Sequence, residues 1–411
     1  MKRPTGMDPT TSETAPRLGI LGGGQLAMMI AEAALSHGAT VRVLTPDSRA
    51  PATQTSAAIE LGSLDDEQAL SRLFSRCDHI LIESELVDPE RLKRAHYRFP
   101  EAIITPGLEC IRLTRDKLEQ KRLFRALGLP TAEFCEVDLT TPLQSLLGLE
   151  ERFGPGFVLK RARGGYDGRG NLIVDRPGGR HQVVEFLETS KRSRTAVYAE
   201  ALVPFALELA MVSTRTRDGS VAKHFPLVIT EQEAGVCREV LGPATALGVP
   251  LRAEAQAREM MDRVASELGI CGTFAMEFFL TAQGELVINE MAPRVHNSGH
   301  YTLYEDGPSQ FDLHVQAVLG LPLSEPRCRG FALMRNLLGP RAIARSPSEV
   351  GDLPSGVNVH WYGKGQALPG RKMGHLTARA RNRRELAALR LSLREFEQAL
   401  WSELRREGRV A

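Results

Sequence analysis

The chain has 411 residues, and its 52 basic and 50 acidic side chains leave a net charge of +2 at neutral pH. A hydrophobic content of 42% and a charged content of 25% are ordinary for a globular protein, and the length predicts two to four compact units. The balance of charge argues against general binding to nucleic acid or membranes, and six scattered cysteines without a C-x-x-C pair indicate reduced thiols in the cytoplasm.

Residues 1–16 are polar and rich in proline, which predicts a disordered tail. From Arg17 onward the sequence reads as strand, glycine turn, amphipathic helix, glycine stop and second strand. Further strand candidates at 57–61 and 79–83 continue the alternation. Alternating strands and helices are typical of a parallel sheet covered by helices, so residues 17–110 are predicted to form a Rossmann-like domain.

The turn after the first strand has the spacing of a dinucleotide-binding site. Gly22, Gly24 and Ala27 fit G-x-G-x-x-G/A, and Asp47 lies where a ribose hydroxyl would need an acidic partner. Glycines let the backbone approach an anion, and a helix N-terminus supplies N–H donors, so any phosphorylated ligand could use this turn. A tight strand-to-helix turn without a ligand explains the pattern about equally well. An NAD-dependent dehydrogenase is therefore one hypothesis among several.

A second unit is predicted for residues 111–325, with a helix at its start and short strands after it. Its segment VLKRARGGYDGRG, residues 158–170, ends a strand on Lys160 and then becomes basic and glycine-rich. Backbone N–H groups and arginines in such a loop suit phosphate binding, and its glycines allow movement. We therefore expect a flap that closes over phosphates.

Two glutamates farther along indicate a metal site. Glu277 and Glu290 each lie in an apolar strand-like run, and a hairpin-like TAQGEL joins the two runs. Paired strands would bring the two carboxylates together, where they repel each other unless a cation neutralises them. Mg2+, held by one or two carboxylates and substrate phosphates, is the natural occupant, and Asn289 would add a neutral oxygen. Either glutamate alone could be a solvent-facing residue of an edge strand.

The next stretch, residues 294–300, gathers a guanidinium, two imidazoles, an amide and a hydroxyl. A packed core has little use for such a set, which suits oxyanion binding and proton transfer. We therefore expect a site around Arg294, His296, Asn297 and Ser298.

Lysines and an apolar segment complete a nucleotide-binding pattern. Lys117 begins the first helix of the second unit, and Lys160 ends the strand before the flap. Val203 and the neighbouring backbone could hold an adenine, and Glu208 could bind its ribose. Together with the metal carboxylates, these groups in this order describe an ATP site. After residue 326 the sequence predicts a small β-rich unit with a terminal helix whose charges form a solvated face.

These segments resemble the ATP-grasp family, and within it the ATP-dependent carboxylases of purine biosynthesis, the carboxyaminoimidazole ribonucleotide synthetases. The resemblance covers residues 17 to about 377 and rests on ILGGGQLAMM, DKLEQKRLF, VLKRARGGYDGRG, VPFALELA, NEMAPRVHNSGHYT, SQFDLHVQAVLGLPL and HWYGKG with LPGRKMGH. It implies a Rossmann-like pre-ATP-grasp domain, a central ATP-grasp domain with a mobile lid over about 132–200, and a small β-rich C-terminal domain over 326–411.

The resemblance also implies the chemistry. ATP would phosphorylate bicarbonate to carboxyphosphate, and the amine of aminoimidazole ribonucleotide would capture the released carbon dioxide. Mg2+ would be required, and neither biotin nor NAD. A homodimer is typical of the family.

Residue roles follow from the same resemblance. ATP would be held by Lys117, Lys160, Glu200, Val203, Glu208 and Asn289, and Mg2+ by Glu277 and Glu290. The catalytic residues would be Tyr166, Asp167, Arg294 and His296. The acceptor would be bound by Gln25, Glu85, Asn297, Ser298, Lys364 and Arg371.

Departures from the family pattern lie on the acceptor side. Ile82 and Leu86 replace an aromatic and a polar residue, Tyr301 replaces a tryptophan, and residues 303–308 replace a more apolar segment. Two alternatives therefore stay open: an ATP-grasp ligase with a different acceptor, and a non-catalytic ATP-binding homologue.

Overall fold

The structure is a computed structural model that describes residues 15–84, 87–154, 156–164, 170–174, 180–340 and 352–407. Most of the predicted N-terminal tail lies outside these ranges, as do three predicted site residues, Glu85, Tyr166 and Asp167. Within the described ranges, no helix is both long and apolar enough to cross a membrane.

The N-terminal unit is a five-stranded parallel sheet covered by helices, as the alternating pattern predicts. Its elements are β1 (Arg17–Leu21), α1 (Gln25–Ser36), β2 (Thr40–Thr45), the 3-10 helix Pro51–Gln54, β3 (Ala58–Leu61), α2 (Glu67–Phe74), β4 (His79–Ile82), α3 (Pro89–Arg98), β5 (Ile103–Thr105) and α4 (Leu108–Thr114). The strand order is β3-β2-β1-β4-β5. Because β4 lies directly beside β1, the residues that follow β4 reach the glycine turn that follows β1.

The predicted lid is a separate four-stranded antiparallel sheet with two helices packed on it. It follows α5 (Lys117–Ala126) and consists of β6 (Phe134–Glu136), α6 (Pro142–Phe153), β7 (Phe157–Arg161), β8 (Asn171–Val174), α7 (Arg180–Arg192) and β9 (Val197–Ala201). The strand order is β6-β9-β7-β8. We call these four strands the lid sheet. Its apolar core contains side chains from both helices, such as Leu146 and Leu187.

A nine-stranded sheet forms the body of the molecule. Its elements are β10 (Phe205–Arg215), β11 (Ala222–His224), β12 (Val228–Glu233), β13 (Val236–Gly242), the 3-10 helix Thr245–Leu247, α8 (Leu251–Glu267), β14 (Gly272–Thr281), β15 (Leu286–Ala292), the 3-10 helix Asn297–Tyr304, α9 (Gln310–Leu319), β16 (Phe331–Leu338), β17 (Val357–Trp361), β18 (Lys372–Ala380) and α10 (Arg383–Glu407). The order of this central sheet is β15-β14-β10-β12-β13-β16-β18-β17, and β11 pairs with β10.

Strand β14 separates the apolar core from the candidate site. Met276 and Phe278 are buried in a cluster with Met261 and Val264 of α8. Successive side chains of a strand point to opposite faces, so Glu277 projects from the other face. One face of this strand therefore packs in the apolar core, and the other face carries a candidate site residue.

The C-terminal unit is β-rich, but its strands extend the central sheet instead of forming a sheet of their own. Strand β16 pairs antiparallel with β13, with Val240 opposite Met334. Beside this seam the buried carboxylate of Glu239 contacts the guanidinium of Arg335, which also contacts Glu397 of α10. The ion pairs therefore fasten the last helix to the sheet.

Candidate active site

Two glutamates face each other where the lid sheet meets the central sheet. Glu277 on β14 and Glu290 on β15 are direct partners in the antiparallel register, so their side chains leave the same face. The side chains are 26% and 35% exposed, respectively. The hairpin predicted from the sequence therefore does bring the two carboxylates together.

Their surroundings shift the two pKa values in opposite directions. Burial, together with the charge of Glu290, raises the pKa of Glu277. Burial acts on Glu290 as well, but the ammonium groups of Lys117 and Lys160 outweigh it and hold the pKa of Glu290 below its usual range. A cation between the two carboxylates would remove the repulsion that separates their pKa values. In the described part of the chain, no cluster of three or more His, Cys, Asp or Glu side chains could hold a metal ion by itself.

Both predicted lysines reach this pair of strands. Lys117 is the first residue of α5, and the Asp116 carboxylate caps that helix by accepting the N–H of Leu118. The Nζ of Lys117 lies 2.6 Å from Oε2 of Glu290. The Nζ of Lys160, on β7 of the lid sheet, donates to Oδ1 of Asn289 over 3.2 Å. Lysines from a helix and from the lid sheet therefore converge on β15.

Glu200 lies behind Lys160 and forms ion pairs with two lysines. Its Oε2 lies 2.7 Å from Nζ of Lys160, and its Oε1 lies 2.9 Å from Nζ of Lys121. The Lys121 ammonium also donates to Thr131 Oγ1 over 2.8 Å and to the Ile288 carbonyl over 3.3 Å. Burial lowers the pKa of Lys121 to about 8. The Glu200 carboxylate pairs with Lys160, and its predicted contact with ATP stays a prediction.

An apolar platform lies on the same face as the carboxylates. The rings of Phe205 and Phe279 stack with 4.6 Å between their centroids and 12° between their planes. Glu208 is the cross-strand partner of Phe279, and burial raises the pKa of its carboxyl. Val203 lies in the short connection between β9 and β10. The sequence pointed to Val203 and Glu208 but missed both phenylalanines, although Phe279 lies two residues after Glu277, on the same strand face.

The histidine of the polar stretch is oriented by its neighbours. The N–H of Ser298 donates to Nδ1 of His296, which therefore carries a lone pair and leaves the ring proton on Nε2. That Nε2 lies 3.6 Å from Oε1 of Glu277. The buried Gln310 side chain accepts the His296 N–H and donates to its carbonyl. His296 and Ser298 are thus held next to the carboxylate pair.

Asn297 joins this loop to the C-terminal strands. Its side-chain amide and that of Asn336 on β16 exchange two hydrogen bonds, of 3.0 and 2.7 Å. Behind them, the rings of His300 and His375 lie 4.9 Å apart, and the Tyr362 hydroxyl is 2.8 Å from Nδ1 of His375. Burial holds the pKa values of both histidines well below the usual value. A neutral polar layer therefore underlies the predicted acceptor pocket.

The glycine turn is filled by a carboxylate of the chain itself. Glu83, the residue after β4, accepts the N–H of Gly24 through Oε1 over 2.9 Å and the N–H of Ala27 through Oε2 over 2.7 Å. Arg294 and Lys364 act on the same carboxylate electrostatically. The N–H donors that a pyrophosphate would need are therefore already bonded, which argues against a dinucleotide at this turn.

The remaining predicted acceptor residues lie on the N-terminal and C-terminal units. Gln25 is the first residue of α1, directly after the glycine turn. Lys364 is 8% exposed; its Nζ donates to the Lys372 carbonyl over 2.6 Å and lies 5.2 Å from the centroid of the Tyr362 ring. Arg371 is exposed and donates to the Gln366 carbonyl. The predicted contacts of Glu85, Tyr166 and Asp167 fall outside the described residues.

Three family models match the chain in succession. A model of the ribonucleotide synthetase preATP-grasp domain matches residues 16–112. A model of the ATP-grasp domain matches residues 122–311, and a model of the phosphoribosylaminoimidazole carboxylase C-terminal domain matches residues 332–389.

Whole-chain relatives are also found. The N5-carboxyaminoimidazole ribonucleotide synthase of Synechococcus elongatus is 35% identical over 369 residues, which cover 88% of this chain and 88% of the relative. The synthase of the same name from Staphylococcus aureus is 32% identical, over 88% of this chain and 91% of the relative. Carboxyaminoimidazole ribonucleotide synthase from Aspergillus clavatus, crystallised with ATP, superposes with a TM-score of 0.83 at 31% identity, over 94% of this chain and 99% of the other. A crystal structure of the Aspergillus clavatus enzyme with ADP and 5-aminoimidazole ribonucleotide superposes with a TM-score of 0.80, at 31% identity and over 95% and 99% of the two chains.

Proposed function

The chain belongs to the family of N5-carboxyaminoimidazole ribonucleotide synthases, and we propose on that premise that it uses ATP and bicarbonate to carboxylate the amine of aminoimidazole ribonucleotide in purine biosynthesis. The observation that carries the proposal is the convergence of two lysines and two glutamates where the lid sheet meets the central sheet. Cations on one side and a carboxylate pair on the other are what a triphosphate with its metal requires.

The carboxylate pair fits Mg2+. Glu277 and Glu290 offer two oxygen donors on one strand face, and the Asn289 amide oxygen lies on the neighbouring residue. Mg2+ is usually held by only one or two protein carboxylates together with substrate phosphates, so a pair suffices. The bound ion would neutralise charge on the β- and γ-phosphates during transfer.

The lysines and the apolar platform would bind different parts of ATP. Lys117 and Lys160 would bind phosphate oxygens, and Glu200 with Lys121 keeps Lys160 aimed at the cleft. The stacked rings of Phe205 and Phe279 offer the adenine an apolar surface, and Val203 lies two residues before Phe205. Glu208 and the backbone after it would then lie near the ribose.

The polar stretch would hold bicarbonate and the acceptor. His296 presents an N–H at Nε2, and Arg294 supplies a fixed positive charge for an oxyanion. Asn297 and Ser298 hold hydrogen bonds within and behind this loop, and Lys364 belongs to the C-terminal unit. The acceptor phosphate is a dianion, which suits Lys364 and Arg371.

The proposed reaction proceeds in two stages. A bicarbonate oxygen attacks the γ-phosphorus of ATP, the bond to ADP breaks, and carboxyphosphate forms. Carboxyphosphate then breaks into carbon dioxide and phosphate. The exocyclic amine of the ribonucleotide attacks the carbon of carbon dioxide and loses one proton, which yields the carbamate product. The closed site would protect carboxyphosphate from water, which is the main requirement for coupling.

Release of inorganic phosphate from ATP tests the proposal. With Mg2+ present, we expect release to depend jointly on bicarbonate and aminoimidazole ribonucleotide. Release that ignores the ribonucleotide but responds to another amine would instead identify an ATP-grasp ligase with a different acceptor. Tight ATP binding without any turnover would identify a non-catalytic homologue. A cytoplasmic location and a homodimer are further predictions of this assignment.

A further inference from the structure

The N-terminus of α1 has the N–H donors of an anion site, and a carboxylate of the protein, that of Glu83, already occupies it. The helix has no acidic residue in its first turn, and Gly24 at its N-cap has no side chain to cap it. The Glu83 carboxylate supplies the missing acceptors by taking one N–H on each of its two oxygens. Its negative charge also lies at the positive end of the helix dipole.

The glycines of the turn make room for this carboxylate. Gly22 has φ +110°, which only glycine adopts readily, and a Cβ at this position would collide with the Glu83 side chain. The dinucleotide-like spacing thus reflects close packing against a carboxylate from the next strand. It explains Gly22, Gly24 and Ala27, the motif positions to which the proposed reaction assigns no substrate contact.

The filled turn is linked to the acceptor side of the cleft by short contacts. The N–H of Ala52, in the 3-10 helix Pro51–Gln54, donates to the Gly23 carbonyl over 3.0 Å. In the same 3-10 helix, Nε2 of Gln54 donates to the Tyr362 carbonyl over 2.9 Å. Gly363 packs so closely on the Gln54 amide that a Cβ would collide with it, and Lys364 follows directly.

Charge links the same groups. Burial raises the pKa of Glu83, whereas the N–H groups of Gly24 and Ala27 and the positive charges of Arg294 and Lys364 oppose that rise. The carboxylate therefore lies within electrostatic reach of two cations, one from the ATP-grasp domain and one from the C-terminal unit. Arg294 is a predicted catalytic residue, and Lys364 is predicted to bind the acceptor.

We propose that Glu83 is a positioning residue for the ribonucleotide acceptor: by filling the anion site of the glycine turn, it fixes Gln25 at the start of α1 and the 3-10 helix that supports the Lys364 turn. The inference rests on the proposed function. It places Glu83 behind the pocket, so its loss would weaken binding of the acceptor and leave ATP binding intact.

Steady-state kinetics of Glu83→Ala and Glu83→Gln test this role. We expect the KM for aminoimidazole ribonucleotide to rise at least about tenfold in both variants, with the KM for ATP unchanged within about twofold. Glu83→Gln keeps the side-chain volume, so it remains informative if the alanine variant folds poorly. Formate or acetate should enter the space left in Glu83→Ala, lower the raised KM and increase its thermal unfolding midpoint, without either effect on the wild type.

A matched variant separates positioning from simple helix capping. Asp66 caps α2 in the same domain by accepting the Gln68 N–H, far along the chain from the glycine turn. Asp66→Ala should lower the unfolding midpoint without changing either KM. An unchanged KM for the ribonucleotide in both Glu83 variants, with the wild type active, would overturn the inference alone. A wild type that does not respond to the ribonucleotide would instead refute the proposed function.

Discussion

Lys121 and Glu200 form a buried ion pair, with 2.9 Å between Nζ and Oε1, that joins helix α5 to strand β9 of the lid sheet. The two side chains are 2% and 4% exposed. The other oxygen of Glu200 contacts Lys160, so one carboxylate serves two ammonium groups. The position of Lys160, which is predicted to bind phosphate, therefore depends on a second, buried lysine.

Replacing Lys121 with methionine should weaken ATP binding. The Glu200 carboxylate would lose its fixed partner and would no longer hold Lys160 in one orientation. We expect the KM for ATP to rise about tenfold and the free energy of unfolding to fall by about 1–3 kcal/mol, since the buried Glu200 carboxylate loses one of its two charged partners. Kinetics and urea unfolding measure the two effects. Lys93→Met, at an exposed position on α3, is the control and should change neither.

Glu290→Gln should abolish phosphate release while the fold stays intact. The amide keeps the shape of the side chain but removes the charge that pairs with Lys117 and that a cation would need. We expect a loss of at least about a thousandfold in kcat, measured as phosphate release at saturating Mg2+. Glu285→Gln, in the exposed turn of the same hairpin, should retain wild-type turnover. Ordinary activity in Glu290→Gln would refute the metal assignment.

Phe279→Ala should weaken the binding of ATP and leave the binding of the ribonucleotide unchanged. Loss of the stacked ring removes the apolar surface proposed for the adenine, so the KM for ATP should rise about tenfold and the KM for the ribonucleotide should stay the same. Tyr97→Ala, which removes an aromatic ring that is 87% exposed on α3, is the matched control. Equal changes in both KM values would place the platform elsewhere in the cleft.

Glu239 should make the stability of the protein sensitive to acid. Burial would raise the pKa of Glu239, but Arg394, Arg390 and Arg335 together lower it below the usual 4.5. A carboxyl with a lowered folded-state pKa stabilises the fold above its unfolded-state pKa, and this contribution is lost as the pH falls through the folded-state value. At pH 7 we expect Glu239→Gln to lower the free energy of unfolding by about 2–4 kcal/mol.

The difference between wild type and Glu239→Gln should shrink as the pH falls below about 4.5, because the Glu239 carboxyl of the unfolded chain takes up a proton there first and the folded carboxyl follows at lower pH. Urea unfolding at a series of pH values measures it. Glu233→Gln removes an exposed partner of Arg238 and should cost less than about 1 kcal/mol at any pH. A constant difference between the Glu239 variant and the wild type across this range would show that packing, and not charge, is lost.

The sequence predicted the three-part ATP-grasp architecture, and the matched family models confirm it. It also predicted that Glu277 and Glu290 would meet, because a short hairpin fixes which residues of its two strands face each other. Lys117 was recognisable as the start of a helix because Asp116 is a strong N-cap residue. These features depend on local patterns, which a sequence displays directly.

Features that depend on distant contacts were missed. Lys121 lies one helical turn after Lys117, and this spacing was the only sign that it could share a helix face with a site residue. Glu83 was recognised only as part of a family pattern, since its contact with the glycine turn requires β4 to lie beside β1. The seam between β13 and β16 could not be read from the sequence, because an antiparallel pairing of distant strands has no local signature.

The pairing of β13 with β16 also determines when the central sheet can be completed during synthesis of the chain. Strand β13 ends at Gly242, and its pairing partner begins only at Phe331. A ribosome therefore exposes the edge of β13, with Glu239 still lacking Arg335, for as long as the intervening residues take to synthesise. Arg390 and Arg394, which complete the neutralisation of that carboxylate, emerge later still. The central sheet is therefore complete only near the end of translation. A chain that terminates early would leave an unpaired strand edge that is prone to aggregation.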